Sequence, residues 1–131
     1  MEIIPPMKVK VKDIKGKGRG VIATQDIKKG EIIETCPIIF ISEKEANFFE
    51  KENTVLKFYY LQQYAINRYC IMFGYGSIYN HSLSPNADVT YDEKDLKDYL
   101  IFEAIEDIKV GEEILIDYEF ENNIEDFLEL K

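Results

Sequence analysis

The stretch GSIYNHSLSPNADVTY, residues 76–91, sets the only histidine of a 131-residue chain, His81, between Asn80 and Ser82, with Asn86 following a proline five residues on. A lone imidazole invites a general-base role, because it changes charge near neutral pH. A second stretch able to do chemistry is KGKGRG at 15–20, a glycine loop that, taken alone, reads as an ordinary hairpin turn. Metal chemistry is poorly supplied. Cys36 and Cys70 lack C-x-x-C spacing, and two cysteines with one histidine do not readily complete a zinc site. They read as buried free thiols of a reducing compartment. Residues 80–82 also match the N-glycosylation sequon, which carries no weight here because MEIIPPMKVK does not look like a secretory signal.

Composition is that of a globular protein, 46% hydrophobic and 31% charged, with nine tyrosines, eight phenylalanines and no tryptophan. A chain of this length implies one domain, 1–131. The longest apolar runs, such as PIIFI at 37–41, are too short to span a membrane. The net charge of −9 is unevenly spread: residues 1–30 hold eight basic and three acidic residues (+5), and the remainder eight basic and twenty-two acidic (−14). Phosphates would meet mostly carboxylates, so direct nucleic-acid binding is not expected. A basic peptide or protein tail suits the acidic part; solubility alone is the plainer reading of the same charge.

The elements that must position these residues are mostly short strands. KVKVK at 8–12 alternates, so Val9 and Val11 face one way and the lysines the other. With GVIAT at 20–24 it makes a hairpin over 8–24, and KKG at 28–30 turns the chain again. EIIETCPIIFI at 31–41 is strand-like, with Pro37 implying an edge or a bulge. Ser42 and Glu45 form a capping box that opens a short helix through about Asn53. TVLKFYYLQQYAI at 54–66 fits helix or strand. RYCIMF at 68–73, ADVTY at 87–91, DYLIFEAI at 98–105 and EEILIDYEF at 112–120 read as strands, the last entered through Gly111. Ile124, Phe127 and Leu128 at i, i+3 and i+4 place a closing helical turn or two in the tail. The fold class is mostly β.

Three segments in this order, GKGRGVIA at 16–23, GYGSIYNHSLSPNADVTY at 74–91 and IKVGEEILIDY at 108–118, resemble the SET domain of protein lysine methyltransferases, in particular its compact viral and bacterial members. The N-H-S-x-x-P-N core is the specific part, and the resemblance spans residues 8–118. It implies a β-clip-like fold of several small curved sheets with short helices. It also implies a C-terminal pseudoknot in which the last strand passes under the N-H-S loop, against the usual rule on threaded chains.

The resemblance further implies S-adenosylmethionine as methyl donor and the ε-amine of a lysine as acceptor, in a histone, histone-like or ribosomal tail. Lys17, Gly18, Arg19 and Gly20 would bind the methionine half of the donor, glycine admitting close backbone approach because no Cβ intervenes. The Asn80 side chain would accept from the donor's amino group. The His81 backbone would pair with the adenine edge, while its imidazole satisfies hydrogen bonds at the crossing rather than moving a proton. Tyr118 would place its hydroxyl at the transfer site, with Tyr59, or its neighbour Tyr60, as a second channel tyrosine. Tyr79 holds a position often filled by phenylalanine. A lysine of pKa about 10.4 costs about 4.6 kcal/mol to neutralise at pH 7. A sulfonium about 4 Å away, at an effective dielectric of about 20, repels the ammonium by about 4 kcal/mol, so no dedicated base is required.

The chain departs from many family members in having EFENNIEDFLELK at 119–131 where they carry a cysteine-rich, zinc-binding segment. Either Phe120 with the Ile124/Phe127/Leu128 face closes the channel, or a partner subunit does; some compact members form homodimers. The expected setting is intracellular, in the cytoplasm or the host nucleus or nucleoid, without excluding a secreted effector. The alternative function is a non-catalytic module that binds a peptide, S-adenosylmethionine or both.

Overall fold

The computed structural model describes residues 3–63, 68–91 and 99–118. The predicted hairpin is present: β1 (Val9–Ile14) pairs antiparallel with β2 (Gly18–Ala23), Val9 opposite Ala23 and Ile14 opposite Gly18. Val9 is buried and Lys10 and Lys12 are exposed, as the alternation requires. The turn closes through Lys17 N–H to the Ile14 carbonyl, with Gly16 and Gly18 both at positive φ (81° and 79°), a region that glycine enters at little cost.

The centre is a five-stranded sheet in the order β4-β5-β3-β8-β7. Its middle strand, β3 (Ile32–Ile41), pairs with β8 (Tyr99–Ala104) over its first half and with β5 (Arg68–Met72) over its second. Pro37 is therefore not on an edge strand. It sits where β3 passes from one partner to the other, a place where a missing N–H is tolerated, and its carbonyl accepts from Phe73 N–H. The irregularity in β3 falls between Ile32 and Glu34 instead. β7 (Ala87–Thr90) flanks β8, and β4 (Tyr60–Gln63) flanks β5.

The capping box forms as predicted, Glu45 N–H to Ser42 Oγ at 3.0 Å and Ser42 N–H to Glu45 Oε1 at 2.9 Å, and opens α1 (Glu43–Lys51). The helix stops two residues short of Asn53, which takes a positive φ of 54°. The ambiguous segment 54–66 is both things in turn over its described residues, 54–63: a 3-10 turn at Val55–Phe58, then β4, with Tyr59 between them. The proposed tail helix lies outside the described residues.

Of the expected last strand EEILIDYEF, residues 112–118 are described, and among them only β9 (Leu115–Ile116) is regular; it runs parallel to β6 (Asn80–His81), Asn80 beside Leu115 and His81 beside Ile116. Segment 111–116 is gripped on both sides. Toward β2, Ala23 N–H donates to Glu112 O, Gly111 N–H to Ala23 O and Ile114 N–H to Val21 O. Toward the 80–86 loop, Ser82 and Asn86 N–H donate to Ile116 O and Leu115 O. Asn86, itself buried, completes the crossing with its side chain: Nδ2 donates to Glu113 O and Oδ1 accepts from Leu115 N–H, both at 2.8 Å.

One apolar cluster runs through the described residues. It joins Val9 and Val21 of the hairpin, Ile33, Leu100 and Phe102 of the sheet, and Ile108, Ile114 and Ile116 of the last segment. Asn86→Ala deletes both side-chain bonds and strands a partly buried N–H and C=O, so it is expected to cost about 2–4 kcal/mol in urea unfolding. A variant within 0.5 kcal/mol of the parent would mean that the crossing is held by other contacts.

Candidate active site

The glycine hairpin, β6 and the last segment meet at Glu113. Its Oε2 accepts from Asn80 Nδ2 at 2.6 Å and its Oε1 from Lys17 Nζ at 2.9 Å. Asn80 Nδ2 also donates to the Arg19 carbonyl at 3.0 Å. The three strands approach this closely because residue 20 is glycine: a Cβ there would lie 2.6 Å from Glu113 Oε2 and 2.7 Å from Asn80 Nδ2. Both amide hydrogens of Asn80 are thus engaged within the protein, and Oδ1 is its remaining polar atom, an acceptor.

Two adjoining cavities open here. The larger, of about 340 Å³, has Lys17, Arg19, Ile78 and Asn80 on its wall. The smaller, of about 150 Å³, is lined by Tyr60, Leu61, Met72, Gly76, Tyr79 and Ile116. Phe58, Tyr59, Ser77 and Tyr118 line both. Tyr118 and Tyr59, far apart in sequence, therefore stand at the junction. Tyr60 lines only the smaller cavity and ties its hydroxyl to Glu50 Oε2 at 3.0 Å. Gly18 and Gly20 support the wall without lining it. Among the described residues no group of three or more His, Cys, Asp or Glu is placed to hold a metal ion.

The Tyr118 hydroxyl donates to the Tyr79 carbonyl at 2.6 Å, and the Tyr118 N–H donates to His81 Nδ1 at 3.0 Å. Accepting at Nδ1 puts the proton of a neutral imidazole on Nε2. The imidazole lines neither cavity and serves as a bracket for the residue that does. Burial pushes the Tyr118 phenol above its ordinary value, with Glu113 and Tyr59 adding to the effect. It stays protonated at neutral pH and acts as a hydrogen-bonding group rather than a base.

Tyr79 is fully buried. Its ring stacks on Phe102 with centroids 4.4 Å apart, and its hydroxyl donates to Glu34 Oε1 at 2.5 Å. Glu34 is itself fully buried, in β3. Desolvation lifts its carboxyl above the usual value, against the hydrogen bonds from Tyr79, Tyr75 N–H and Cys36 that favour the anion.

Glu113 and Glu34 are not among the residues expected at the site, and no role is expected there for Phe58, Ser77 or Asn86. Glu113 was visible as half of the E-E pair before ILIDY, and Glu34 as the only charged residue in the run IIETCPIIFI. Phe58 and Ser77 carry no local signal; only the fold brings them to the cavities.

A family model described as SET domain matches residues 18–119. The chain belongs to the SET domain family. Relatives of this SET chain include N-lysine methyltransferase KMT5A of Xenopus tropicalis, 37% identical over 120 residues, 84% of this chain and 35% of that protein. The H3 lysine-37 specific histone-lysine N-methyltransferase of Schizosaccharomyces pombe is 26% identical over 110 residues, 84% of this chain and 72% of that protein. The SET chain thus spans about a third of the length of the KMT5A relative. Among solved structures, CpSET8 from Cryptosporidium superposes with a TM-score of 0.66 at 29% identity, over 84% of this chain and 56% of that one. The Neurospora SET domain protein DIM-5 does so with a TM-score of 0.66 at 23% identity, over 84% of this chain and 51% of that one, a likeness of fold alone.

A carboxyl whose folded-state value lies above its unfolded one costs nothing below the unfolded value; as pH rises from there to the folded value the unfolded chain releases a proton that the fold retains, so stability falls, and the loss levels off above the folded value. For Glu34 the loss begins near 4.5, the ordinary value of the group. The melting temperature of Glu34→Gln relative to the parent is therefore expected to climb as pH is raised from 4 toward 8. A difference that is flat with pH would show that Glu34 titrates normally.

Proposed function

We propose that this SET domain transfers the methyl group of S-adenosylmethionine to the ε-amine of a lysine in a basic protein tail. The observation that carries the reading is the Tyr118 hydroxyl at the junction of two cavities, one polar and one aromatic, with its proton committed to the Tyr79 carbonyl.

The larger cavity fits the donor in kind. Asn80 Oδ1 is an acceptor for an amino group, and the Gly20 close approach leaves the hairpin backbone beside it. Because Ser82 N–H points to β9, the N–H and C=O of its strand neighbour His81 face the other way, as an adenine edge would require. When bound, S-adenosylmethionine supplies an electrophilic methyl group. Lys17, Arg19 and Asn80 on the cavity wall and the His81 backbone would hold it, with Gly18 and Gly20 supporting that wall. The remaining work belongs to Tyr118 and Tyr59. With its hydrogen donated to Tyr79, the Tyr118 oxygen has lone pairs left to accept an amine N–H, which turns the amine's own lone pair into the larger cavity. Phe58, Tyr59 and Tyr118 form walls that tolerate a cation and displace bulk water. Desolvation there favours the neutral amine, and the amine's proton leaves to solvent.

The substrate we infer is a histone or histone-like tail, met inside the cell. The −14 charge of residues 31–131 complements it, and the relatives named above act on lysines or histones by name. A second reading, a module that binds without turnover, is favoured by one feature. Phe58 and Tyr118 are 73% and 56% exposed, so the described residues leave the channel mouth open, to be covered in an enzyme by residues 119–131 or by a homodimer partner.

Incubation with methyl-labelled S-adenosylmethionine and histones, followed by mass spectrometry, is expected to place label on lysine. Tyr118→Phe should transfer on the order of 100-fold more slowly. Donor at 100 times its Kd should stabilise the fold by about 2.7 kcal/mol. Stabilisation without any labelling would favour the binding module; neither effect would overturn both readings.

A further inference from the structure

Glu34 has no part in the chemistry described above, yet it is an acid with no exposed surface, in the middle of the sheet. A buried charged group is rarely a net source of stability, since desolvating it offsets what its partners contribute. A carboxyl kept there against that cost points to a task of position. Apart from the Cys36 thiol of its own strand, its contacts run in one direction. Tyr79 gives it a hydroxyl at 2.5 Å, Tyr75 an N–H at 3.4 Å, and Gly74, at a φ of 70°, would set a Cβ 2.8 Å from Oε2. All three belong to the turn that leads into Asn80. Tyr79 is the link to the site: one end of the residue is held by Glu34 and the Phe102 stack, and the other, its carbonyl, accepts the Tyr118 hydroxyl at 2.6 Å.

We propose that Glu34 is a positioning residue for methyl transfer: by anchoring the Tyr79 side chain it fixes the carbonyl that aims the Tyr118 phenol. The relay runs from Glu34 in β3, through the Tyr79 side chain and carbonyl, to Tyr118 at the junction of the cavities, and it makes no bond to Lys17 or Arg19 of the donor-binding wall. It rests on the methyltransferase reading for its consequence in rate, but not for its geometry. The orientation of a hydroxyl matters this much because a lone pair displaced from the line of attack costs rate steeply, on the order of 100-fold for 1 Å.

The test compares the parent with Tyr79→Phe, Glu34→Leu and Glu34→Gln, each assayed below its melting temperature. Tyr79→Phe, which removes one oxygen, and Glu34→Leu are expected to lower kcat on the order of 10- to 100-fold. Their Kd for S-adenosylhomocysteine should stay within about 2-fold of the parent, since Lys17 and Arg19 lie off the relay and Asn80 is held separately, by Arg19 and Glu113. Glu34→Gln, which keeps an acceptor for the Tyr79 hydroxyl, should restore most of kcat. Tyr79→Phe alone suffices if the leucine variant does not fold. A second measurement needs no turnover: titration of Tyr118, followed by NMR of ring-labelled tyrosine. The groups facing that phenol, Glu113, Tyr59 and His81, are unchanged in all variants. Burial, Glu113 and Tyr59 raise its midpoint in every variant; donation to the Tyr79 carbonyl favours the neutral phenol further, so the midpoint should be lower in Tyr79→Phe than in the parent and unchanged in Glu34→Gln. An unaltered kcat and an unaltered Tyr118 titration in Tyr79→Phe, with only the melting temperature lowered, would overturn the relay. If the parent transfers no methyl group, the methyltransferase reading fails, and the Tyr118 titration still decides the relay.

Discussion

Two residues of parallel pairing, Asn80 and His81 against Leu115 and Ile116, hold the site together. So short a ladder has little stability of its own, and it persists because segment 111–116 is caught between two surfaces. On one side the β2 hairpin supplies backbone bonds at Val21 and Ala23; on the other Asn86 supplies a side chain that imitates a strand edge, one donor and one acceptor. Ile114 and Ile116 bury against the sheet and fix the register. Slip that register and Tyr118 leaves the cavities, and Glu113 leaves the hairpin.

The electrostatic arrangement follows from the same crossing. Donors and acceptors are assigned one-to-one: Asn80 gives its hydrogens to Arg19 O and Glu113, Tyr118 gives its proton to Tyr79 O, and His81 Nδ1 takes the Tyr118 amide. What is left over among the described residues lining the cavities is acceptors, Asn80 Oδ1 and the Tyr118 oxygen, and no imidazole. That is the pattern expected where orientation and desolvation lower the barrier and a nearby positive charge disfavours the ammonium. It also accounts for a chain with one imidazole that uses it as a bracket.

Much of the fold was legible in the residues. The alternation in KVKVK, the S-x-x-E box and the glycine turns each report a local rule that the structure obeys, because each is decided within a few residues. The parallel contact between β6 and β9, by contrast, joins residues 35 apart across the whole sheet, and no local period encodes it; only the likeness to a known family reached it. Pro37 shows the same limit. Its missing N–H points to an edge or a bulge, and it marks neither: it sits in the middle strand where β3 changes partners, which is a property of the sheet. At the site, Tyr118 and Asn80 carried a sequence signature. Phe58 and Ser77 carried none, since cavity walls are assembled from segments whose own sequences need satisfy only packing. Glu34 was visible as a charge in an apolar run, and burial plus its link to Tyr79 gives that anomaly its meaning.

The central claim is that the Tyr118 phenol stands where a methyl donor and a lysine meet. The most direct measurement is a crystal structure with S-adenosylhomocysteine and a lysine peptide together. The account predicts the nucleoside along Asn80 and His81, the amino-acid end beside Lys17 and Arg19, and the lysine side chain entering between Tyr59 and Tyr118, its nitrogen within hydrogen-bond distance of the Tyr118 oxygen. A nucleoside bound away from Asn80, or a lysine whose nitrogen lies beyond reach of that oxygen, would contradict it.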